Sequence, residues 1–562
     1  MITIKETKPR KLSGQTSLQI TFKYNPAIVE TIKALPFAIY HKEDFTWEVP
    51  TCYLAEVLDK LTFIDSIQLS LYSPERNSGN FELTEDEISG FKFRPFDHQI
   101  LGINFLFKQQ KALLLDGCGV GKSLQMMYYA ETLHKRGLID HCLVICGVDA
   151  LRQQWKHEIQ KFTNESVIVL GEYITKSGRI RYKKIDERVN QLKNPIDEFF
   201  VVVNIASLRN KDLVKVINDP KAKNKFGMIA VDEAHRISYS SDQGKNIMRL
   251  VSPYKVAATG TLITNNPLSA FGPLKFTEND SSTLTNFKSQ YCNFGGFNDS
   301  QIVGYKNLDV LQDEIDSCGI RRTFEDISDQ MPERIVDVEL VEMSDAQSEF
   351  YEAIKAGVRE EADKIELNTS NLLALTTRLR QATSCPTVLT TQDIPNSKID
   401  RCVDLVNELI SQGEKVVIMG TFKETIYRLA DRLKEYNPLV NTGDTSDREF
   451  SENSIRFNED PNLKVFIGSH AKSGTGLSLP AARYCIMIDT PWTYANFDQS
   501  ACRIYRVTSK ANVLIKVLVN KDTIDERVEE IIETKKELSD YLVDKNENSQ
   551  FSSILRNIIK EL

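Results

Sequence analysis

Apolar positions along the chain follow two periodicities in turn. Residues 18–24 alternate apolar with polar, as a half-buried strand does, and Asn25-Pro26 then opens a helix with apolar positions at Ile28, Ile32 and Leu35. Residues 45–49 alternate again around Trp47, Pro50 breaks the pattern, and 53–61 is amphipathic. Up to about residue 85 this reads as a small α+β unit, and the polar, acidic residues 73–90 predict a linker after it. Beyond them, short, mainly apolar runs at 113–115, 143–146, 199–205 and 226–231 alternate with helical patterns such as 151–162, which has Trp155 at its middle. Such runs suit strands buried on both faces, so the alternation predicts a doubly wound parallel sheet. Further on, residues 415–419 and 465–469 read as strands and 441–446 as a turn. A charged, helical tail follows from 521.

Chemistry concentrates where apolar runs end. After Leu115 comes Asp116-Gly117-Cys118-Gly119-Val120-Gly121-Lys122-Ser123. The glycines let backbone N–H groups converge on a phosphate, the following helix adds its dipole, Lys122 suits β/γ-phosphates and the Ser123 hydroxyl suits Mg²⁺. A strict phosphate loop would carry glycine where this chain has Asp116. The run 226–231 ends in Asp232-Glu233-Ala234-His235, which places an acidic pair at the carboxyl end of a parallel strand, beside the phosphate loop. Asp232 is expected to hold Mg²⁺ and Glu233 to polarise the attacking water. Thr259-Gly260-Thr261, at the end of another strand, offers two hydroxyls to sense a γ-phosphate. Gln99, three residues before Gly102, either reads the adenine edge or is a surface glutamine. The run Lys176, Arg179, Arg181, Lys183, Lys184, Arg188 and Lys193 is either a solvated face or a phosphate contact. Near the far end, 499–506 reads as the opening of a helix with Arg503 and Arg506 three apart on one face.

Composition narrows this only a little. Length 562 suits three to four domains, and 70 Lys+Arg against 78 Asp+Glu, net charge -8, leave any polyanion contact to a local patch. Ten cysteines without a CxxC pair point to reduced thiols in a cytosolic compartment, so a cytoplasmic setting, or a nucleoid or nuclear one, is expected. No run approaches the roughly 18–20 apolar residues of a membrane span, so no membrane partner is expected.

The ordered set Gln99, DGCGVGKS, DEAH and Thr-Gly-Thr resembles the superfamily 2 helicase-like ATPases, and its details look like the Swi/Snf-type duplex-DNA translocases. In that family Asp116 is the expected residue, while Gly117 and Ser123 depart from the usual loop. Tyr291-Cys292, Asn307-Leu308 and Arg321-Arg322 follow in the family's order, and the first two pairs favour the annealing branch that bears a HARP domain. The amino-terminal order of strand, helix, Trp47 strand and helix is similar to that domain. The resemblance implies ATP with Mg²⁺ and two RecA-like lobes, the second running from about 343 to 519 with 415–419 as its first strand. Gln99, Gly117, Gly119, Val120, Gly121, Lys122, Ser123, Gly474, Gly476 and Gln499 would contact the nucleotide, and Ser123 and Asp232 the metal. Lys122, Asp232, Glu233, Arg503 and Arg506 would be catalytic, the arginines as fingers in cis. The domains implied are 1–85 (HARP-like, DNA-binding), 86–330 (first lobe), 331–520 (second lobe with a helical insertion) and 521–562 (helical brace). A DNA-dependent ATPase moving on duplex DNA as a monomer is expected, remodelling forks or annealing strands. A strand-separating helicase or an ATP-controlled clamp stays open.

Overall fold

The computed structural model describes residues 2–7, 10, 17–35, 38–51, 54–62, 64–70, 82–147, 151–176, 180–263, 266–280, 282–295, 301–330, 332–362, 369–473, 478–492, 494–506 and 511–539. The chain divides into two compact units, the second beginning in the main at Thr323.

The first unit opens with a five-stranded sheet that includes Ile2–Thr7, Ser17–Phe22, Ile39–His41, Thr46–Pro50 and Ile67–Ser70. Helices Pro26–Lys33 and Leu54–Thr62 accompany it, and Ile28, Ile32, Trp47, Val49, Val57 and Leu61 share one core. The helix at Pro26 starts there because the Asn25 side chain accepts from the Ala27 N–H at 3.0 Å and proline needs no donor in the first turn. The sequence pattern missed Ile2–Thr7, which pairs antiparallel with Ser17–Phe22, and Pro50 ends its strand inside the pairing, opposite Ser17. The expected linker 73–90 is corrected at its end: Glu85–Ser89 is helical, closed by a Thr84/Glu87 capping box. Its residues 73–81 lie outside the described residues.

A seven-stranded sheet forms the first lobe. Its strands run parallel throughout, in the order Gly319–Ile320, Lys111–Leu114, Tyr254–Ala258, Phe226–Asp232, His141–Cys146, Phe200–Asn204 and Val167–Val169. Cys142 and Cys146 are buried in it as small apolar residues. The second unit holds a six-stranded parallel sheet ordered Arg334–Val341, Val513–Asn520, Tyr484–Met487, Val416–Gly420, Val465–Ser469 and Leu439–Asn441. Its first strand is therefore Arg334–Val341 and not 415–419. That strand lies at the sheet edge with Ile335, Val336, Val338 and Leu340 all exposed, so it carries no one-sided pattern to read. The architecture is α/β with two RecA-like parallel-sheet lobes. Among the described residues no helix is long and apolar enough to cross a membrane.

Candidate active site

The order of the first sheet places the chemistry. The phosphate-loop strand Lys111–Leu114 is separated from the acidic strand Phe226–Asp232 only by Tyr254–Ala258, which leads into Thr259-Gly260-Thr261. Three motifs thus emerge side by side at the carboxyl edge of one parallel sheet, where such sheets bind ligands.

The loop turns through Gly119 (φ 87°) and Gly121 (φ 101°), left-handed conformations that glycine adopts without strain, and enters the helix Lys122–Lys135. Lys122 heads that helix, and its Nζ donates to the carbonyls of Asp116 (2.8 Å) and Gly117 (3.0 Å). Ser123 is half-buried in the first turn. Gln99 is fully buried and accepts from the Phe96 N–H at 3.1 Å, which fixes it at the start of the helix Asp97–Gln109 and removes the surface-glutamine alternative.

At the acidic strand end, Asp232 Oδ2 accepts from Trp155 Nε1 at 3.1 Å, and Oδ1 accepts from the Glu233 N–H at 3.0 Å. Burial, then the neighbouring Glu233 charge, pushes the Asp232 carboxyl up to about 7, with Lys122 and the Trp155 hydrogen bond opposing them. Glu233 itself sits at φ 54°, a conformation that a non-glycine residue holds only where its surroundings enforce it. Its carboxylate lies 3.3 Å from His235 Nδ1, which is also 3.1 Å from Thr259 Oγ1. Thr259 in turn donates to the Thr261 carbonyl at 3.1 Å and accepts from its N–H at 3.2 Å. A continuous polar chain therefore joins the acidic motif to Thr-Gly-Thr. Sequence reasoning did not single out Trp155 or His235 for this site; His235 was visible inside the DEAH string, whereas Trp155 had no local signal.

In the second unit the geometry corrects one expectation. The helix Tyr494–Ala501 ends just after Gln499, so Arg503 and Arg506 do not share a helical face. A further turn follows, with the Arg503 N–H on the Ser500 carbonyl at 3.2 Å and the Arg503 carbonyl accepting from the Leu479 N–H at 2.8 Å. Arg503 is buried at 2% exposure, and Arg506 and Gln499 are half-buried. Within this helix Ser500 is engaged by His470 Nδ1 at 2.8 Å, while His470 Nε2 meets the Asp489 carbonyl at 2.7 Å. Burial pushes His470 down to about 4, so the ring is neutral near pH 7. Gly474 and Gly476 lie outside the described residues. Of the basic run, Arg188 is tied down, donating to the Lys183 carbonyl (2.8 Å) and to Ser207 Oγ (3.0 Å).

The SNF2-related domain matches residues 98–388, more than half of the chain, and the helicase conserved C-terminal domain matches 397–508. The chain belongs to the SNF2-related family. An uncharacterized ATP-dependent helicase of Mycoplasma pneumoniae is 26% identical over 432 residues, which cover 76% of this chain and 39% of that protein. The CHD3-type chromatin-remodeling factor CHR7 of Arabidopsis thaliana is 24% identical, over 86% of this chain and 40% of the relative. The DNA repair and recombination protein RAD54-like of Gallus gallus is 24% identical, over 82% and 69% respectively. The chain thus spans about two-fifths of the length of the first two of these SNF2 relatives. Among solved structures, the Sulfolobus solfataricus SWI2/SNF2 ATPase core in complex with dsDNA is similar at 22% identity and a TM-score of 0.36, covering 83% of this chain and 95% of that one.

Proposed function

We propose that this SNF2-related chain is a nucleic-acid-dependent ATP hydrolase that moves along duplex DNA. The observation that carries the reading is the sheet edge on which the Lys122 loop, the Asp232–Glu233 pair and Thr259–Thr261 stand on neighbouring strands, with His235 joining the acidic pair to Thr259. Lys122 exchanges its two carbonyl partners for β/γ-phosphate oxygens, and Gln99 faces the base. Glu233, held in its strained backbone conformation, accepts the proton of the attacking water.

The donor set fits Mg²⁺. Asp232 is a desolvated carboxylate beside a second one, an arrangement a cation stabilises, and the Ser123 hydroxyl stands in the first turn of the helix that follows the loop. Among the described residues no cluster of three or more His, Cys, Asp or Glu could hold a metal unaided, so phosphate oxygens and water would complete its shell. Bound there, the ion supplies charge neutralisation at the transferring phosphoryl group.

Arg503 and Arg506 are the second lobe's contribution in this reading: fingers that stabilise charge at the γ-phosphoryl. Cycles of hydrolysis would ratchet the lobes along a backbone without reading sequence. The RAD54-like relatives, named for DNA repair and recombination, support DNA as the track and repair as the setting. A HARP-like role for residues 1–85 would direct the motor to forks or to strand annealing. Phosphate release measured with and without duplex DNA tests the reading: stimulation is expected, and ATP binding without turnover would leave a clamp instead.

A further inference from the structure

The residue that breaks the strict phosphate-loop pattern is the best-anchored side chain of the loop. Asp116 is fully buried, and Arg322 grips it bidentately with one edge of its guanidinium, Nε to Oδ1 at 2.9 Å and Nη2 to Oδ2 at 2.5 Å. Gln125 completes the ring, donating to Asp116 Oδ2 at 2.8 Å and accepting from Arg322 Nη2 at 2.8 Å. Arg322 Nη1 donates to the His98 carbonyl, beside Gln99. Gly102 leaves room for this arrangement: a Cβ there would lie 2.5 Å from Arg322 Nη2 and 1.9 Å from Gln125 Oε1.

The backbone makes the same connection. The strand Gly319–Ile320 pairs in parallel with Leu113–Leu114, and the ladder continues with the Leu115 N–H on the Ile320 carbonyl and the Gly117 N–H on the Arg322 carbonyl, each at 2.8 Å. The Asp116 carbonyl, which accepts from Lys122, and the Gly117 N–H, which donates to Arg322, belong to one planar peptide unit. A triphosphate that draws Lys122 away releases one side of that plane, and any rotation about its ends moves the donor on the other side. Arg322 is also the last residue of the first unit before the chain passes into the second.

We propose that Arg322 is a positioning residue that transmits the state of the phosphate loop to the bridge between the lobes, with Asp116, Gln125 and the 116–117 peptide as the moving parts. The inference rests on nucleotide binding at the Lys122 loop, as in the proposed function, but not on movement along DNA.

Hydrogen exchange of the segment 319–326, followed by mass spectrometry with and without Mg²⁺ and a non-hydrolysable ATP analogue, is the test. In the unaltered protein the analogue should change exchange there by at least about threefold. Arg322→Ala should bind the analogue, measured on the same samples by a fluorescent derivative, yet lose the response in 319–326. Arg322→Lys, which keeps the charge without the fork, should recover only part of it. Asp116→Asn, nearly isosteric, should lose the response too, and serves if Arg322→Ala fails to fold. In steady-state kinetics the variants' KM for ATP should move less than about threefold while kcat with duplex DNA falls about tenfold. An analogue that leaves 319–326 unchanged in the unaltered protein, or changes it equally in Arg322→Ala, would overturn the proposal. A nucleotide response at 319–326 in a protein whose hydrolysis ignores DNA would uphold this coupling and sink the motor reading.

Discussion

Lys398 offers the sharpest energetic test of the second lobe. It is fully buried, and its Nζ donates to Asp525 Oδ2 (2.7 Å) and Ser384 Oγ (3.0 Å) and lies 3.5 Å from Asp489 Oδ1. Asp489 also accepts from the Thr421 N–H at 3.1 Å, and Asp525 from Thr383 Oγ1 at 2.9 Å. Burial raises the Asp489 carboxyl, and the nearby Lys398 and Arg380 charges more than reverse it, holding it below the ordinary carboxylate range. The cluster ties the helices Thr369–Ser384, Ser397–Ser411 and Ile524–Ser539 to the sheet strand that ends before Asp489. Lys398→Met keeps the aliphatic stem and deletes the cation, so it leaves two buried carboxylates, both still near the Arg380 charge. Breaking a buried pair costs about 3–5 kcal/mol, and the remaining arginine argues for the lower end, about 3 kcal/mol. In a lobe of this size that lowers Tm by about 6–12 °C, readable by scanning calorimetry. Asp525→Asn in the same chain should restore part of the loss. The deficit should be smaller at pH 5 than at pH 8, because without Lys398 the Asp489 carboxyl takes up its proton at higher pH and sheds the unpaired charge. A Tm within about 2 °C of the parent, or an Asp525→Asn change that adds to the loss, would refute the reasoning.

Two further outcomes follow from the geometry. Glu233→Gln should bind ATP as the parent does and hydrolyse it at least about a hundredfold more slowly; an unchanged rate, measured by phosphate release, would place the base elsewhere. His470, pushed by burial from 6.5 down to about 4, binds its proton more readily in the unfolded chain across that window, so stability is lost as pH falls below 6.5. By pH 5 the loss is about 2 kcal/mol, and His470→Gln should abolish that part of the acid sensitivity; identical Tm slopes between pH 7 and pH 5 would contradict it.

Strands buried on both faces announced themselves in the sequence. Leu143–Cys146 and Phe226–Val231 are continuous apolar runs because each has a neighbour on either side and helices above and below, and the motifs were legible because they sit where those runs end. Ile2–Thr7 was missed because only Ile2 and Ile4 mark its buried face. Arg334–Val341 was missed because a sheet edge imposes no single pattern. The arginine segment was misplaced for a different reason: a spacing of three suits a helix, but the helix ends at Ala501 and the Arg503 carbonyl is taken by the Leu479 N–H from elsewhere in the chain. Partners far apart in sequence leave no local mark. Trp155 reaches Asp232 across 77 positions and Arg322 reaches Asp116 across 206, so the sequence shows the two ends and not the bond.

The central claim is that duplex DNA drives ATP hydrolysis at the Lys122 loop. ATP turnover by the full chain, measured without nucleic acid and then with single-stranded DNA, duplex DNA, forked DNA and RNA, tests it most directly. The account predicts that duplex and forked DNA raise the rate by at least about tenfold, that single strands and RNA raise it less, and that Lys122→Ala abolishes the stimulated rate. Equal rates with and without duplex, or a stimulated rate that survives Lys122→Ala, would contradict it.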